Sequence, residues 1–328
     1  MALSLRRGSV TSVTERLEGL VRLEVDGRPC VAYPRLTGPV ALGDDVLVNV
    51  QAVELGLGSG GFDILYANLT RGLELAPDPG AHVMKLPYTP LQFAQVHAEE
   101  VSELPDLLEG MPVVATSLHS QLAPACAALA GVRVAYVQLP GGALPVPLSE
   151  AVRMLRERGL LELTVAAGAC FGADADCVNA YSALAVARAR GAEAVVCGVG
   201  PGVVGSGTRL GHGGMAAADA IGAALALGAA PVLAVRISER DARERHRGVS
   251  HHSDAVLSLR GGSYRVAWPE GCPVERPLAE GAEAVDVSGW REACAGLPLE
   301  HMGRGADEDP WFFAAAFAAG RLAKSLLT

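Results

Sequence analysis

The sequence predicts an α/β protein: a Rossmann-like, mainly parallel sheet with flanking helices, preceded by a small all-β, barrel-like domain. Three observations carry this. Short β-branched runs broken by turns fill residues 8–70. From residue 111 onward, apolar runs alternate with helical patterns. Runs such as AVVC (194–197) and PVLAV (231–235) are apolar throughout, as strands covered on both faces are. The expected boundaries are 1–70 for the β domain, 71–110 for a proline-rich connector, and 111–328 for the α/β domain with a C-terminal β-hairpin and helix.

The strands expected in the first domain are Val10–Thr14, Val21–Val25, Cys30–Tyr33, Val46–Val53 and Ile64–Ala67. Asp26-Gly27 between two of them is a two-residue hairpin signal, because both turn positions need positive φ. Leu42-Gly43-Asp44-Asp45 reads as a turn entering the next strand. No chemistry is visible there, and packing or oligomerisation is the natural role. The connector carries Pro77, Pro79, Pro87, Pro90 and Pro105.

In the α/β domain, strands are expected at Pro112–Thr116, Val132–Leu139, Leu161–Ala167, Ala194–Cys197 and Pro231–Ile237. Helices are expected at Leu122–Ala130, Ser149–Arg158 with Ser149 as N-cap, Cys177–Arg190 and Met215–Leu227. Strands alternating with helices imply right-handed parallel crossovers. In the tail, Ala255–Leu259 and Tyr264–Trp268 flank Arg260-Gly261-Gly262 as a hairpin signal. Asp309 is placed to cap a last helix with Pro310 at its first position, and Trp311, Phe312 and Phe317 would dock that helix.

Half the residues are hydrophobic and 19% are charged, which excludes a disordered chain. A net charge of −9 argues against a nucleic-acid or acidic-membrane binder. The seven cysteines form no CxxC pair and read as reduced thiols in a cytoplasmic protein. MALSLRRGSV lacks the apolar core of a signal peptide. Met215–Val235 approaches membrane-span length, but Asp219, Gly228 and Pro231 make it a helix followed by a strand.

Five polar or glycine-rich loops are expected at the carboxyl edge of the sheet, where α/β folds bind ligands. They are 117–121, 140–145, 168–176, the glycine loop from Gly198 to Gly214, and an Arg/His loop, 243–254. The glycine loop holds a formal GxGxxG at Gly200, Gly202 and Gly205, followed by Gly207 and Thr208. Its exposed amides could cradle a phosphate or carboxylate. As a dinucleotide fingerprint it fails, because the helix starts only near Met215 and the acidic Glu239 lies too far on; NAD is disfavoured. There is no GK[ST].

The Arg/His loop offers His246, His251, His252 and Asp254, which have the donor atoms of a zinc or iron site. Their spacing fits no ligand template, and adjacent His251 and His252 would diverge on any regular element. A histidine could instead be a general base, and Arg243, Arg245 and Arg247 suit an anionic ligand. Pairing of these arginines with Glu239, Asp241 and Glu244 is the structural alternative. Asp174 and Asp176 could be a base or metal ligands, or could simply cap the next helix, with Asn179 one turn later. His119 and Gln121 could contact a ligand from the first loop, and His212, flanked by glycines, could do the same. Cys170 reads as a small hydrophobe more than a nucleophile.

These loops resemble an uncharacterised bacterial family defined by a domain of unknown function, DUF3866. The matching pieces are LHSQL at 118–122, GGALPVPLSE at 141–150, FGADADCVNAYSAL at 171–184, GVGPGVVGSGT at 198–208, RISERDARERHRGVSHH at 236–252 and HMGRG at 301–305. The resemblance implies one family fold for the α/β part and supplies no activity.

The residues together suggest a cytoplasmic enzyme, a hydrolase or group transferase, acting on a small anionic metabolite of phosphorylated or nucleotide-like kind. A divalent metal is an open option, and no nucleic-acid or membrane partner is expected. The alternatives are a non-catalytic nucleotide or metabolite sensor, and a structural subunit of a homo-oligomer.

Overall fold

The computed structural model describes residues 3–57, 60–71, 75–259, 262–275 and 282–327. The chain divides into two compact units, Met1–Val96 and His97–Thr328.

In the first unit, β1 (Leu5–Leu17), β2 (Leu20–Val25), β3 (Arg28–Ala32), β4 (Asp45–Asn49) and β5 (Asp63–Asn68) close a barrel in the order β1-β2-β3-β5-β4. The long β1 makes closure possible: its first half pairs with β4 and its second half with β2. Register shifts at Val10/Ser12 and Val13/Glu15 curl it, as bulges do. Asp26 (φ 50°) and Gly27 (φ 73°) form the expected two-residue turn. The expected strand Val46–Val53 is shorter. It stops at Asn49, whose Oδ1 accepts the Gln51 N–H at 3.1 Å and starts a single-turn helix, Gln51–Glu54. Two short strands, β6 (Val83–Lys85) and β7 (Phe93–Gln95), pair within the proline-rich stretch.

The second unit is built on eight parallel strands. In chain order these are β8 (Pro112–Thr116), β9 (Val134–Leu139), β10 (Leu163–Ala167), β11 (Ala175–Cys177), β12 (Ala194–Val199), β13 (Ala230–Ala234), β16 (Arg265–Pro269) and β17 (Ala282–Val285). Two-residue strands β14 (Ile237–Ser238) and β15 (Gly248–Val249) pair outside this sheet. The sheet order is β11-β10-β9-β12-β8-β13-β16-β17. The chain thus runs outward from β8 to β11, returns to β12 beside β8, and then continues to the other side. Loops leaving β8 and β12 therefore diverge, and that divergence opens the crevice where such sheets bind ligands.

Besides the single-turn helices α1 (Pro34–Thr37), α2 (Gln51–Glu54), α3 (Ala98–Val101) and α9 (Trp290–Ala293), helices α4 (Leu122–Ala128), α5 (Glu150–Glu157) and α10 (Pro310–Lys324) cover one face of the sheet, and α6 (Ala180–Ala189), α7 (Ala216–Ala226) and α8 (His251–Leu257) the other. Ser149 caps α5 by accepting the Val152 N–H, as expected. Among the described residues no helix is long and apolar enough to cross a membrane.

The tail departs from expectation. Ala255–Leu259 is not a strand: Ala255–Leu257 completes α8, because Ser250 caps a helix there. Residues 265–269 join the main sheet in parallel beside β13, so no hairpin forms between the two segments. Arg260 and Gly261, on which that expectation rested, lie outside the described residues. The hairpin of the tail is a different one, β18 (Glu300–His301) with β19 (Arg304–Gly305), turned by Met302 (φ 51°) and Gly303 (φ 73°).

Helix α10 lies so close to α4 that a Cβ on Gly320 would sit 2.3 Å from the Ala125 carbonyl oxygen and 2.7 Å from the Ala128 Cβ. A glycine-to-alanine change inside a helix ordinarily gains about 0.5–1 kcal/mol. Here forced separation of two backbones outweighs that gain, at about 1–3 kcal/mol. G320A is therefore expected to lower the denaturation midpoint. An unchanged or raised midpoint would contradict the packing described.

Candidate functional site

The site is assembled from the end of β13 outward. Arg236 follows that strand, and its backbone is fixed on both sides: its N–H donates to Ser253 Oγ at 2.8 Å, and its carbonyl accepts the Ser250 N–H at 2.9 Å. Pairing of β14 with β15 continues the clamp. The start of α8 is thereby held against the sheet end, with His251 and His252 as its first two residues.

The glycine loop supplies a third histidine. Residues 204–213 fold back on themselves: Gly213 N–H donates to Val204 O at 2.8 Å, Ser206 N–H donates to Gly211 O at 2.7 Å, and Gly205 bridges to His212. His212 is thus returned to the base of its loop, at the turn that leads into α7. Gly214 lets it approach α8, since a Cβ there would lie 3.1 Å from both His212 Nδ1 and His252 Nδ1.

Four imidazoles meet. The His212 and His252 rings stack at 3.9 Å with planes 11° apart, and His251 stands edge-on to both, at 5.2 and 4.5 Å. His246 closes the group, 4.6 Å from His251. The expected divergence of His251 and His252 is not seen, because on the first turn of α8 both rings lean toward the same incoming loops. Ligand atoms of His212, His251 and His252 lie within 4.8 Å of one another, a spacing that could hold a metal ion.

The hydrogen bonds fix which nitrogens are lone pairs. His212 Nε2–H donates to Arg209 O at 3.0 Å and His251 Nδ1–H donates to Arg245 O at 3.3 Å; a carbonyl can only accept. In the neutral rings, His212 Nδ1 and His251 Nε2 are therefore acceptors, and both are buried with no partner. His252 Nδ1 accepts from Arg236 Nη1 at 3.2 Å. His246 Nδ1 is bonded with Ser250 Oγ at 2.7 Å.

Behind the histidines lies a buried ionic network of which the sequence pointed only to the Arg243–Asp241 pair. Arg236 is 2% exposed and faces Asp241 at 3.4 Å. Asp241 also receives Arg243 at 2.9 Å and Arg304 at 3.1 Å. Arg304 bridges on to Asp309 at 3.2 Å. The Asp309 carboxylate accepts from Ser238 and the Glu239 N–H, so it does not cap α10 as expected, although it occupies the N-cap position. His301 stacks on Phe312 at 3.8 Å and lies 3.5 Å from Arg236. The HMGRG segment thus packs against the back of the histidine group. Only the adjacency of polar residues after two strands hinted at this.

Burial and the arginine charges hold the histidines neutral. Burial, reinforced by Arg236, pushes His252 down to about 2, and His246 and His301 to about 3. His212 and His251 shift in the same direction, again chiefly through burial. At neutral pH the rings of the group are therefore neutral imidazoles, each with a lone pair to offer. Asp241, although buried, is held well below the usual carboxylate range by Arg243 and Arg304.

The remaining candidates are placed elsewhere or engaged. Asp254 is exposed on α8 and outside the group. Asp174 lies at the amino end of β10, bonded to Thr164 and paired with Arg156 at 2.8 Å, and Asp176 is buried in β11. Neither caps α6, because β11 intervenes and Asn179 does so through its Oδ1. His119 bonds Ser149 Oγ at 2.6 Å and Val199 O at 3.1 Å. Gln121 ties the Ser117 and Leu118 amides to the Ala234 and Val235 carbonyls. Cys170 is fully buried.

Gly200 serves close packing: a Cβ there would lie 2.2 Å from the Ala143 carbonyl oxygen. Gly202 and Gly207 adopt positive φ, and Thr208 Oγ1 bonds Ser206 and the Gly211 N–H within the loop. Arg243 is held by Asp241, whereas Arg245 and Arg247 are exposed. The Arg245 guanidinium carbon lies 4.0 Å from where a Cβ on Gly207 would be.

Over residues 29–320 the chain matches a family model described as a protein of unknown function, DUF3866. The chain belongs to this family. No curated protein matches the chain. In this DUF3866 member the matched span contains the whole histidine group and the ionic network behind it.

Buried neutral histidines have a pH consequence. Each binds its proton less readily folded than unfolded, so the unfolded chain takes up more protons below its ordinary value of about 6.5. His119, pushed by burial to about 4, and His301, at about 3, should therefore destabilise the fold as pH falls from about 6.5 toward 4. The unfolding free energy from urea titration is expected to drop steadily across this window, by up to about 1.4 kcal/mol per pH unit for each histidine. A flat profile down to pH 5 would contradict the assignment.

Proposed function

We propose that this protein is a metal-dependent enzyme, a hydrolase or group transferase acting on a small anionic metabolite at the carboxyl edge of its sheet. One observation carries the reading: His212 Nδ1 and His251 Nε2 are buried lone pairs with no partner, each oriented by a carbonyl on the opposite ring nitrogen. Backbone carbonyls orient metal-binding histidines in this way. Two inward lone pairs repel an anion and call for a cation.

His252 is the third donor. Ring lone pairs lie in the ring plane, so stacked His212 and His252 cannot reach one ion until His252 turns off Arg236. All-imidazole ligation suits zinc and neighbouring transition metals. Three protein ligands would leave an open position, where a bound water becomes a nucleophile near neutral pH. Arg245, exposed at the rim beside Gly207, is the group to meet an incoming anion.

Elemental analysis of untagged protein prepared without chelator should find zinc, iron, cobalt or nickel at close to one ion per chain. H212A and H251A should each lower affinity at least tenfold, while D254A and D174A should leave it unchanged. Absence of uptake after incubation with divalent ions would sink the proposal. Stoichiometric metal without turnover of any phosphate or carboxylate ester would favour a sensor.

A further inference from the structure

Arg236 is a costly residue to place where it lies. A guanidinium removed from water needs its donors satisfied, yet this one is poorly served. Its Nε–H is buried without an acceptor. Its Nη2 reaches Asp241 only at 3.4 Å and His301 at 3.5 Å. Its Nη1 rests on His252 Nδ1, at 3.2 Å. Asp241 is no private counter-ion, since Arg243 and Arg304 lie closer to it than Arg236 does. Among the described residues of the buried network, three arginines, Arg236, Arg243 and Arg304, face two carboxylates, Asp241 and Asp309.

This inference rests on the metal-centre reading above. A divalent ion on His212, His251 and His252 would add two positive charges to a region already in cationic excess, with no carboxylate among its ligands. It would also claim the His252 lone pair and so release Arg236 Nη1. Two donors on one guanidinium, Nε and Nη1, would then lack acceptors beside an under-neutralised cation. Nε–H and Nη1 lie on different edges of the guanidinium, so an arriving oxyanion takes Nη1, the donor that had faced His252, in a charge-assisted hydrogen bond.

We propose that Arg236 is the oxyanion subsite of the centre: on metal loading it exchanges His252 for an oxygen of a metal-bound phosphate or carboxylate group. The substrate is thereby an oxyanion held between the ion and Arg236, with Arg245 meeting it at the rim. Entry goes through the segment from Ala242 to Val249, in which His246 alone is buried and the other residues are partly or fully exposed.

The test is calorimetric titration of inorganic phosphate into zinc-loaded protein freed of excess metal, with acetate titrated in parallel. Wild type should bind phosphate at least tenfold more tightly when loaded than when metal-free. R236M should keep zinc and lose at least tenfold in phosphate affinity. R236K, which keeps the charge but not the forked donors, should fall between, and it carries the test should R236M fail to fold. Acetate binding as tight as phosphate would assign the subsite to carboxylates within the same proposal.

Loaded R236M or R236K binding both anions as wild type does would overturn the subsite and leave the metal centre standing. Failure of wild type to take up any metal would instead remove the reading on which the subsite rests.

Discussion

A single buried guanidinium organises the α/β unit's functional edge. Arg236 sits at the point where the chain leaves β13, shut away from solvent. Its charge must be answered from somewhere, and the answers come from the whole C-terminal third of the chain. Asp241 reaches it from the loop ahead, Asp309 at the head of α10 pairs with Arg304, which competes for Asp241, and His252 meets it from α8. Breaking a buried pair of this kind typically costs about 3–5 kcal/mol, because the abandoned charge stays buried. The same charge keeps the neighbouring imidazoles neutral, the state in which histidine has a lone pair to offer. Stability and site chemistry are therefore one arrangement here.

The glycine loop has a packing role besides the anion cradle that its sequence suggests. Gly213 packs so tightly on Gly141 that a Cβ would fall 1.8 Å from the Gly141 carbonyl oxygen, and Gly142 meets Gly200 in the same manner. Two loops are pressed backbone to backbone, and the fold-back that results delivers His212 to the histidines of α8. The formal phosphate-loop motif thus also returns one side chain to the sheet edge.

The alternating strands and helices of the second unit were legible because burial on both faces leaves an apolar signature over four or five residues. The barrel was legible from its turns, Asp26-Gly27 above all. What misled was local pattern at a boundary. Ala255–Leu259 looks like strand but follows Ser250, a cap whose helix includes both histidines. Asp174 and Asp176 were read as loop residues facing the cleft, whereas β11 carries them back along the sheet. His251 and His252 were visible by type. His212, 39 residues before His251, was visible as a ligand contact but not as their neighbour, since a contact made by loop folding leaves no spacing in the sequence. Arg236, His301 and Arg304 were hidden for the same reason: the network closes in space across 63 and 65 residues.

The most direct measurement of the central claim is the visible absorption spectrum of protein loaded with cobalt(II). Ligation by three imidazoles with an open position predicts the intense ligand-field bands of a four- or five-coordinate ion, abolished in H212A and H251A and shifted when phosphate is added. A spectrum no different from hexaaquo cobalt, in wild type and variants alike, would show that the unpartnered lone pairs of His212 and His251 do not hold a metal, and would contradict the account.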